Sequence, residues 1–281
     1  MFDRIVIVDW SAAATPKRGK DSIWTYAHGD LAAINHPTRT ATLGVLVELL
    51  RTPGCTLIGF DFPLGYPAGF AAQARLGDGE PWEATWRYLT DHVTDDERNR
   101  NNRWDVAAAL NVRLGELRFW GVPPRRAGEH LTIRKPPLVD EFRVAESRLK
   151  KRGLHPFSTW HLLGAGSVGS QTLTGIPVVH RLRHHPDLQP RTRIWPFETG
   201  LTSNPSGHHP EAIVIAEVWP SALAHDPTLH PIKDACQVMT LARHYADLDA
   251  TGALAPLFQP QLTADEARRV VGEEAWILGV T

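Results

Sequence analysis

Apolar and polar positions follow three different rhythms along the chain, and each rhythm predicts a kind of element. Two short segments, "RIVIVDW" (residues 4–10) and "CTLIGF" (residues 55–60), are apolar almost without a break. Such continuity reads as strands buried on both faces. Between them, "DSIWTYAHG" alternates, with Ile23, Thr25 and Ala27 on one face and Trp24, Tyr26 and His28 on the other. That period of two predicts the second strand of an antiparallel pair, and "DLAAINH" supplies a third. "TATLGVLVELLR" spaces Leu43, Leu46, Leu49 and Leu50 as a helix does. The first 61 residues therefore read strand, strand, strand, helix, strand, and both buried strands run into an aspartate, Asp9 and Asp61.

Residues 66–190 are less regular and read as an insertion, mostly helical, or as long connections on one core. They hold a charged, asparagine-rich loop (Asp95–Asn102) and a helix from Asp105 to Leu117. Proline turns at Pro123-Pro124 and Pro136-Pro137 precede a charged helix from about Val139 to Lys151. Beyond them, "RTRIWPFET" and "EAIVIAEVWPSAL" read as strands, the second ending in another acid, Glu217. A helix from Lys233 to about Asp247 opens with Asp234, where the positive helix end favours an acid. Thr263 and Glu266 form a capping-box pattern near the C-terminus. The expected class is α/β, with the whole chain (1–281) forming a single domain.

Composition narrows the function classes. With 281 residues and a net charge of −1, the chain is long enough for a substantial core and is neither a basic nor an acidic polyelectrolyte. The near-neutral total hides an asymmetry: residues 101–200 carry 16 Lys/Arg against 8 Asp/Glu, so the flanks are acidic. Acidic flanks and a basic middle that meet in one cleft would hold cations and an anionic substrate side by side. Only Cys55 and Cys236 are present, in no CxxC pair, which argues against a disulfide framework and suits a reducing compartment. No apolar run reaches the roughly 20 residues of a membrane span. The expectation is a cytoplasmic protein without a membrane partner; the sequence does not specify an oligomeric state.

Three stretches compete for the chemistry. The basic turn Lys17-Arg18-Gly19-Lys20 lacks a Walker pattern, since Ala14 stands where the first glycine belongs and Asp21 where the metal-binding hydroxyl belongs. "GAGSVG" (164–169) matches GxGxxG, but a poor strand precedes it and Gly175 and Pro177 interrupt the helix after it, so it reads as a tight turn at a helix start. The strand-end acids Asp9, Asp61 and Glu217, with Asp234, are the strongest set. Neighbouring strands lie about 4.8 Å apart, so acids at their ends can converge. Converging carboxylates repel one another, and a hard divalent cation such as Mg²⁺ relieves that.

At these residues the sequence resembles an uncharacterised family predicted to be nucleases of the ribonuclease H-like fold. The likeness is carried by "IVIVDW", "LIGFDFPLGYP", "IAEVWPSAL" and "KDACQVMTLARHYA". It implies a mixed ribonuclease H-like sheet with a large insertion, Mg²⁺ or Mn²⁺ as cofactor, and a nucleic acid or nucleotide as partner. Asp9, Asp61, Glu217 and Asp234 are then both catalytic residues and metal ligands. The opening also resembles chains labelled as molybdopterin-guanine dinucleotide synthesis proteins, a role kept as an alternative. Gln237 and Val238 stand where a further acid often follows the helix-start aspartate, which motivates another alternative, a catalytically inactive nucleotide- or protein-binding module. A phosphotransferase of the same fold is a third.

For substrate contacts, Arg125, Arg126, Arg134 and Lys135 are the expected phosphate ligands. Trp10, Trp195 and Trp219 sit near the strand ends, where an aromatic ring can stack a base. The adjacent pairs His184-His185 and His208-His209 read as solvated loop residues rather than a zinc site.

Overall fold

The computed structural model describes residues 1–281 except Ala165, inside the GAGSVG segment, so that part of the motif lies outside the described residues. Six strands are present: β1 (Arg4–Asp9), β2 (Ile23–Ala27), β3 (Ile34–His36), β4 (Thr56–Phe60), β5 (Thr192–Ile194) and β6 (Ile213–Glu217). They form one mixed sheet in the order β3-β2-β1-β4-β6-β5. β1–β2 and β2–β3 are antiparallel, whereas β1, β4, β6 and β5 run parallel. The α/β class and the opening strand-strand-strand-helix-strand order are thus as expected.

The continuous apolar runs have a simple cause. Val6 and Val8 of β1, with Ile58 and Phe60 of β4, point into one core, and Ile5, Ile7 and Leu57 point into another. A strand covered on both faces needs apolar residues at every position. Eight α-helices among the described residues supply those covers: α1 (Arg39–Arg51), α2 (Phe70–Gln73), α3 (Pro81–His92), α4 (Arg103–Leu114), α5 (Val144–Lys151), α6 (Gly169–Arg183), α7 (Lys233–Ala250) and α8 (Ala264–Arg269). Side chains of α1, α3, α4 and α6 fill the first core, and α7 with residues 254–280 fills the second. Residues 66–190 therefore share the core of the sheet rather than building their own. No helix of the described residues is long and apolar enough to cross a membrane.

Two elements depart from the sequence reading. α6 runs unbroken through Gly175 and Pro177, which together cost a helix interior roughly 4 kcal/mol. Burial offsets this cost, because Leu173, Ile176, Val179 and Leu182 are all fully buried, each contributing about 1.5–3 kcal/mol. Gly175 is also needed there: a Cβ would lie 2.3 Å from the Phe62 ring. The second departure is α3, in the stretch that reads as irregular. Pro81 at its first turn and buried Trp82, Trp86 and Leu89 on one face are its legible signals.

The C-terminal segment clasps the loop after β4. Glu273 accepts hydrogen bonds from the backbone N–H groups of Gly69 and Ala71, and Glu274 from those of Ala68 and Val144. Gly65 makes the close approach possible, since its missing Cβ would sit 2.1 Å from the Glu273 carbonyl oxygen. Backbone cannot yield as a flexible side chain can, so Gly65→Ala is expected to lower stability by about 2–3 kcal/mol in urea unfolding. An unchanged midpoint would mean that the clasp is looser than this contact requires.

Candidate active site

The parallel pairing of β1 with β4 places the two aspartates side by side. Val8 is in register with Phe60, so Asp9 at the end of β1 and Asp61 just past β4 emerge together. The Trp10 N–H donates to Asp61 Oδ1 at 2.7 Å, which fixes one oxygen of that carboxylate. The two carboxyl groups are close enough to share a hydrogen bond when one of them carries a proton. Burial, followed by the Asp61 charge, raises the Asp9 carboxyl well above its ordinary range. Burial also pushes Asp61 up to about 7, although the hydrogen bonds it accepts from Asp9 and Trp10 pull the other way. The pair therefore retains a proton near neutral pH, as two crowded carboxylates must.

Asp234, in the first turn of α7, faces the same pair, and its charge contributes to both upward shifts. Its Oδ2 accepts the Asp21 N–H at 2.6 Å, tying α7 to the hairpin between β1 and β2. Asp9 and Asp61 thus meet at the C-terminal ends of the central strands, where ligands of open α/β sheets bind, and Asp234 borders the same cleft without completing a three-acid metal-holding group.

Glu217 has different partners. It ends β6 beside Phe60, but Arg143 donates to both of its oxygens, Nη2 to Oε1 at 2.6 Å and Nη1 to Oε2 at 2.7 Å. The Leu64 N–H occupies Oε2 as well, at 2.9 Å. Arg143, fully buried, also pairs with Glu146 and donates to the Glu274 carbonyl. The geometry gives Glu217 a structural partner where the sequence suggests a metal ligand, because Arg143 lies 74 residues away and its position is invisible in the local motif. Glu217→Gln is accordingly expected to cost about 2 kcal/mol in thermal unfolding while leaving divalent-cation binding unchanged. Loss of cation binding in that variant would return Glu217 to the site.

The acids open into a cleft of about 720 Å³. One wall is the Trp10–Ala13 segment with Lys17 and Asp21; the other is Ser167–Gln171, where α6 begins, and Phe157, Trp219 and Arg103 also line it. The Ser11–Ala13 wall is braced from behind by Arg39, whose Nη1 donates to the Ser11 and Ala13 carbonyls at 2.9 Å each. Arg39 is itself gripped by Asp95 and by the Asn99 carbonyl, so the charged loop seen in the sequence serves as a bracket.

The expected substrate residues fare unevenly. Arg125, Arg126, Arg134 and Lys135 are exposed and none lines the cleft; Arg126 pairs with Asp105 and Lys135 with Glu141. Proline turns carry them outward, a placement that charge alone cannot reveal. Trp10 is 2% exposed and packs on Phe60 and Phe62, so it offers no face for stacking, although it borders the cleft. Trp195 is wholly buried against Phe258. Trp219 is partly buried and does border the cleft.

Arg103 is a cleft residue that sequence reasoning misses. Its Nε donates to Ser170 Oγ at 3.0 Å and its Nη1 to Asn101 Oδ1 at 2.8 Å, and the guanidinium lies 4.2 Å over the Trp104 ring. Burial, followed by repulsion from Arg39, lowers it to about 10, so it stays charged at neutral pH. The Arg-Trp step at a helix start is the one signal, and it is faint.

A second depression of about 450 Å³ lies at the opposite ends of the strands, bordered by Asp3, Cys55, His208 and His209. Both cysteines are free and buried, and the described residues contain no group of three or more His, Cys, Asp or Glu side chains arranged to hold a metal ion. No family model, curated protein or solved structure matches the chain.

Proposed function

We propose that this chain is a divalent-metal-dependent hydrolase acting on a nucleic-acid phosphodiester or a nucleotide, on a ribonuclease H-like sheet. The observation that carries the reading is the half-buried Asp9–Asp61 pair, two carboxyl groups crowded together at the mouth of a polar cleft. A carboxylate pair that needs a proton to coexist is chemically suited to a cation in its place. Mg²⁺ or Mn²⁺ would be held by Asp9 and Asp61, with Asp234 near enough to add its charge. The ion, when bound, would supply Lewis-acid polarisation of a phosphoryl oxygen and a more acidic water.

The residues of the chain have definable tasks within this reading. Asp61, pushed up to about 7 by burial in the metal-free protein, would give up its share of the proton to the cation and serve as a ligand. The Trp10 N–H fixes the carboxylate that does so. Asp21, through its own N–H, sets the direction of Asp234.

The test is Mn²⁺-dependent cleavage of a generic phosphodiester and of single-stranded oligonucleotides by purified protein. Asp61→Asn is expected to reduce turnover at least about 10³-fold. Equal rates in the two proteins, or no Mn²⁺-dependent product at all, would overturn the hydrolase. The capture of Glu217 by Arg143 favours a second reading, a non-catalytic module that binds a nucleotide or protein in the same cleft. It predicts stabilisation by ligand without product formation.

A further inference from the structure

We propose that Arg103 and the first turn of α6 form an oxyanion subsite that takes a phosphoryl group of the substrate. The inference depends on the hydrolase reading only in making the anion part of a substrate.

Three arginines are buried among the described residues: Arg39, Arg103 and Arg143. Arg39 is paired with Asp95, and Arg143 with Glu146 and Glu217. Arg103, 7% exposed, has no carboxylate partner among the described residues. Its contacts are a serine hydroxyl, an asparagine carbonyl and an indole face, all neutral. Asp95, whose charge reaches Arg103, is already paired with Arg39, so the buried guanidinium keeps little counter-charge of its own, and an anion entering the cleft would supply it. The Nη2 group has no acceptor among the described residues and is available to it.

The helix start supplies further donors at the same place. Val168 stands at the N-cap without a side-chain cap, and α6 runs for 15 residues behind it. The Gly169 N–H is used by the His161 carbonyl and the Thr172 N–H by the Val168 carbonyl. The N–H groups of Ser170 and Gln171 have no acceptor among the described residues, which is the free-donor arrangement that binds phosphates at helix N-termini. Ser170 is also the residue whose hydroxyl accepts from Arg103, so the guanidinium and the free N–H groups belong to one constellation. Arg103, Ser167, Ser170 and Gln171 all line the cleft that holds Asp9 and Asp61.

Two further details point the same way. The Gln171 side chain donates to the Trp10 carbonyl at 2.6 Å, joining the helix start to the end of β1. Trp10, whose residue borders the cleft, also carries a buried Nε1 donor without a partner among the described residues. The glycine-rich turn also has a use: a Cβ on Gly169 would lie 2.5 Å from the Thr159 carbonyl oxygen, so only glycine lets α6 begin this deep.

The experiment titrates inorganic phosphate into the metal-free protein in EDTA, read by calorimetry and by thermal shift. Binding is expected at about 1 mM, weakened at least about tenfold in Arg103→Met and less in Arg103→Lys. Arg134→Ala should bind phosphate as the native protein does. Amide resonances of Ser170 and Gln171 should move with phosphate, a readout that requires no variant to fold. Absent binding, undiminished binding in Arg103→Met, or shifts confined to other amides would overturn the subsite.

Mn²⁺ binding by Arg103→Met and phosphate binding by Asp9→Asn are each expected to persist. Failure of the subsite and failure of the metal reading are therefore seen separately. Competition by a nucleoside 5′-monophosphate against a dinucleoside phosphate then distinguishes a terminal phosphate from a diester. Displacement by either supports the subsite, and displacement by neither counts against it.

Discussion

Asp9→Asn should make the metal-free protein more stable at pH 8, by roughly 4 kcal/mol, while removing the stabilisation by Mn²⁺ that the proposed metal site predicts. The reason is the cost of ionising two crowded, half-buried carboxyl groups. Burial raises both carboxyls, Asp61 to about 7. A group whose folded pKa lies above its unfolded value contributes stability that is complete below the unfolded pKa. That stability is lost as pH rises through the folded pKa. For this pair the loss begins near pH 4 and is well advanced by pH 7, at about 1.4 kcal/mol for each pH unit. An asparagine at position 9 imitates the protonated acid and still offers Asp61 a donor, so the variant escapes most of the loss.

The difference between native and variant stability should therefore vanish near pH 4 and grow towards pH 8. Measuring the difference also cancels an opposing background. Burial lowers His36, His161 and His180, the last to about 4, so those groups subtract stability as pH falls below about 6.5 in both proteins. The check is urea unfolding of both proteins from pH 4 to 8, with and without Mn²⁺. A variant less stable than native at pH 8, or equally responsive to Mn²⁺, would show that the pair is not a strained, cation-ready site.

Arg143→Met should be the most damaging single change, at about 4–5 kcal/mol, a large part of the stability of an ordinary domain. Arg143 is the positive centre of a sealed cluster, bonded to Glu146, to both oxygens of Glu217 and to the Glu274 carbonyl. Removing it leaves two buried carboxylates unpaired, and the low-dielectric surroundings magnify that cost. The cluster also joins three distant parts of the chain: α5, the end of β6 and the C-terminal clasp on the loop after Asp61. Arg143→Met combined with Glu217→Gln should recover part of the loss, because one unpaired charge is removed with its partner. Equal unfolding midpoints for native and Arg143→Met would refute this account of the cluster.

Much of the frame is legible in the sequence because its signals are local. Val6 and Val8 facing one core and Ile5 and Ile7 the other produce an unbroken apolar run that any reader of periodicity finds. The Thr263–Glu266 capping box is complete in the structure, with Glu266 N–H donating to the Thr263 hydroxyl and Thr263 N–H to Glu266. Asp9, Asp61 and Asp234 are recognisable because strand ends and helix starts are where acids meet in such sheets. Of the 16 basic residues in the middle of the chain, Arg103 alone lines the cleft with those aspartates, so the charge asymmetry of the sequence finds little expression there.

The features that escape depend on partners far apart in sequence. Glu217 looks like Asp61 on paper, an acid after an apolar strand. Its neutralisation depends on Arg143 arriving through α5, which no local pattern announces. Arg103 looks like any surface arginine at a helix start, and only its burial without a carboxylate sets it apart from Arg125, Arg126 and Arg134. The helix through Gly175 and Pro177 contradicts propensity, and burial against the sheet outweighs that propensity. By itself the sequence determined the strands, the order of the first five elements and three of the four acids, since these arise from period, caps and strand ends. Only the tertiary structure decided which charges are paired, which are left facing the cleft and where α6 begins, because pairing and burial are properties of contacts between residues distant in the chain.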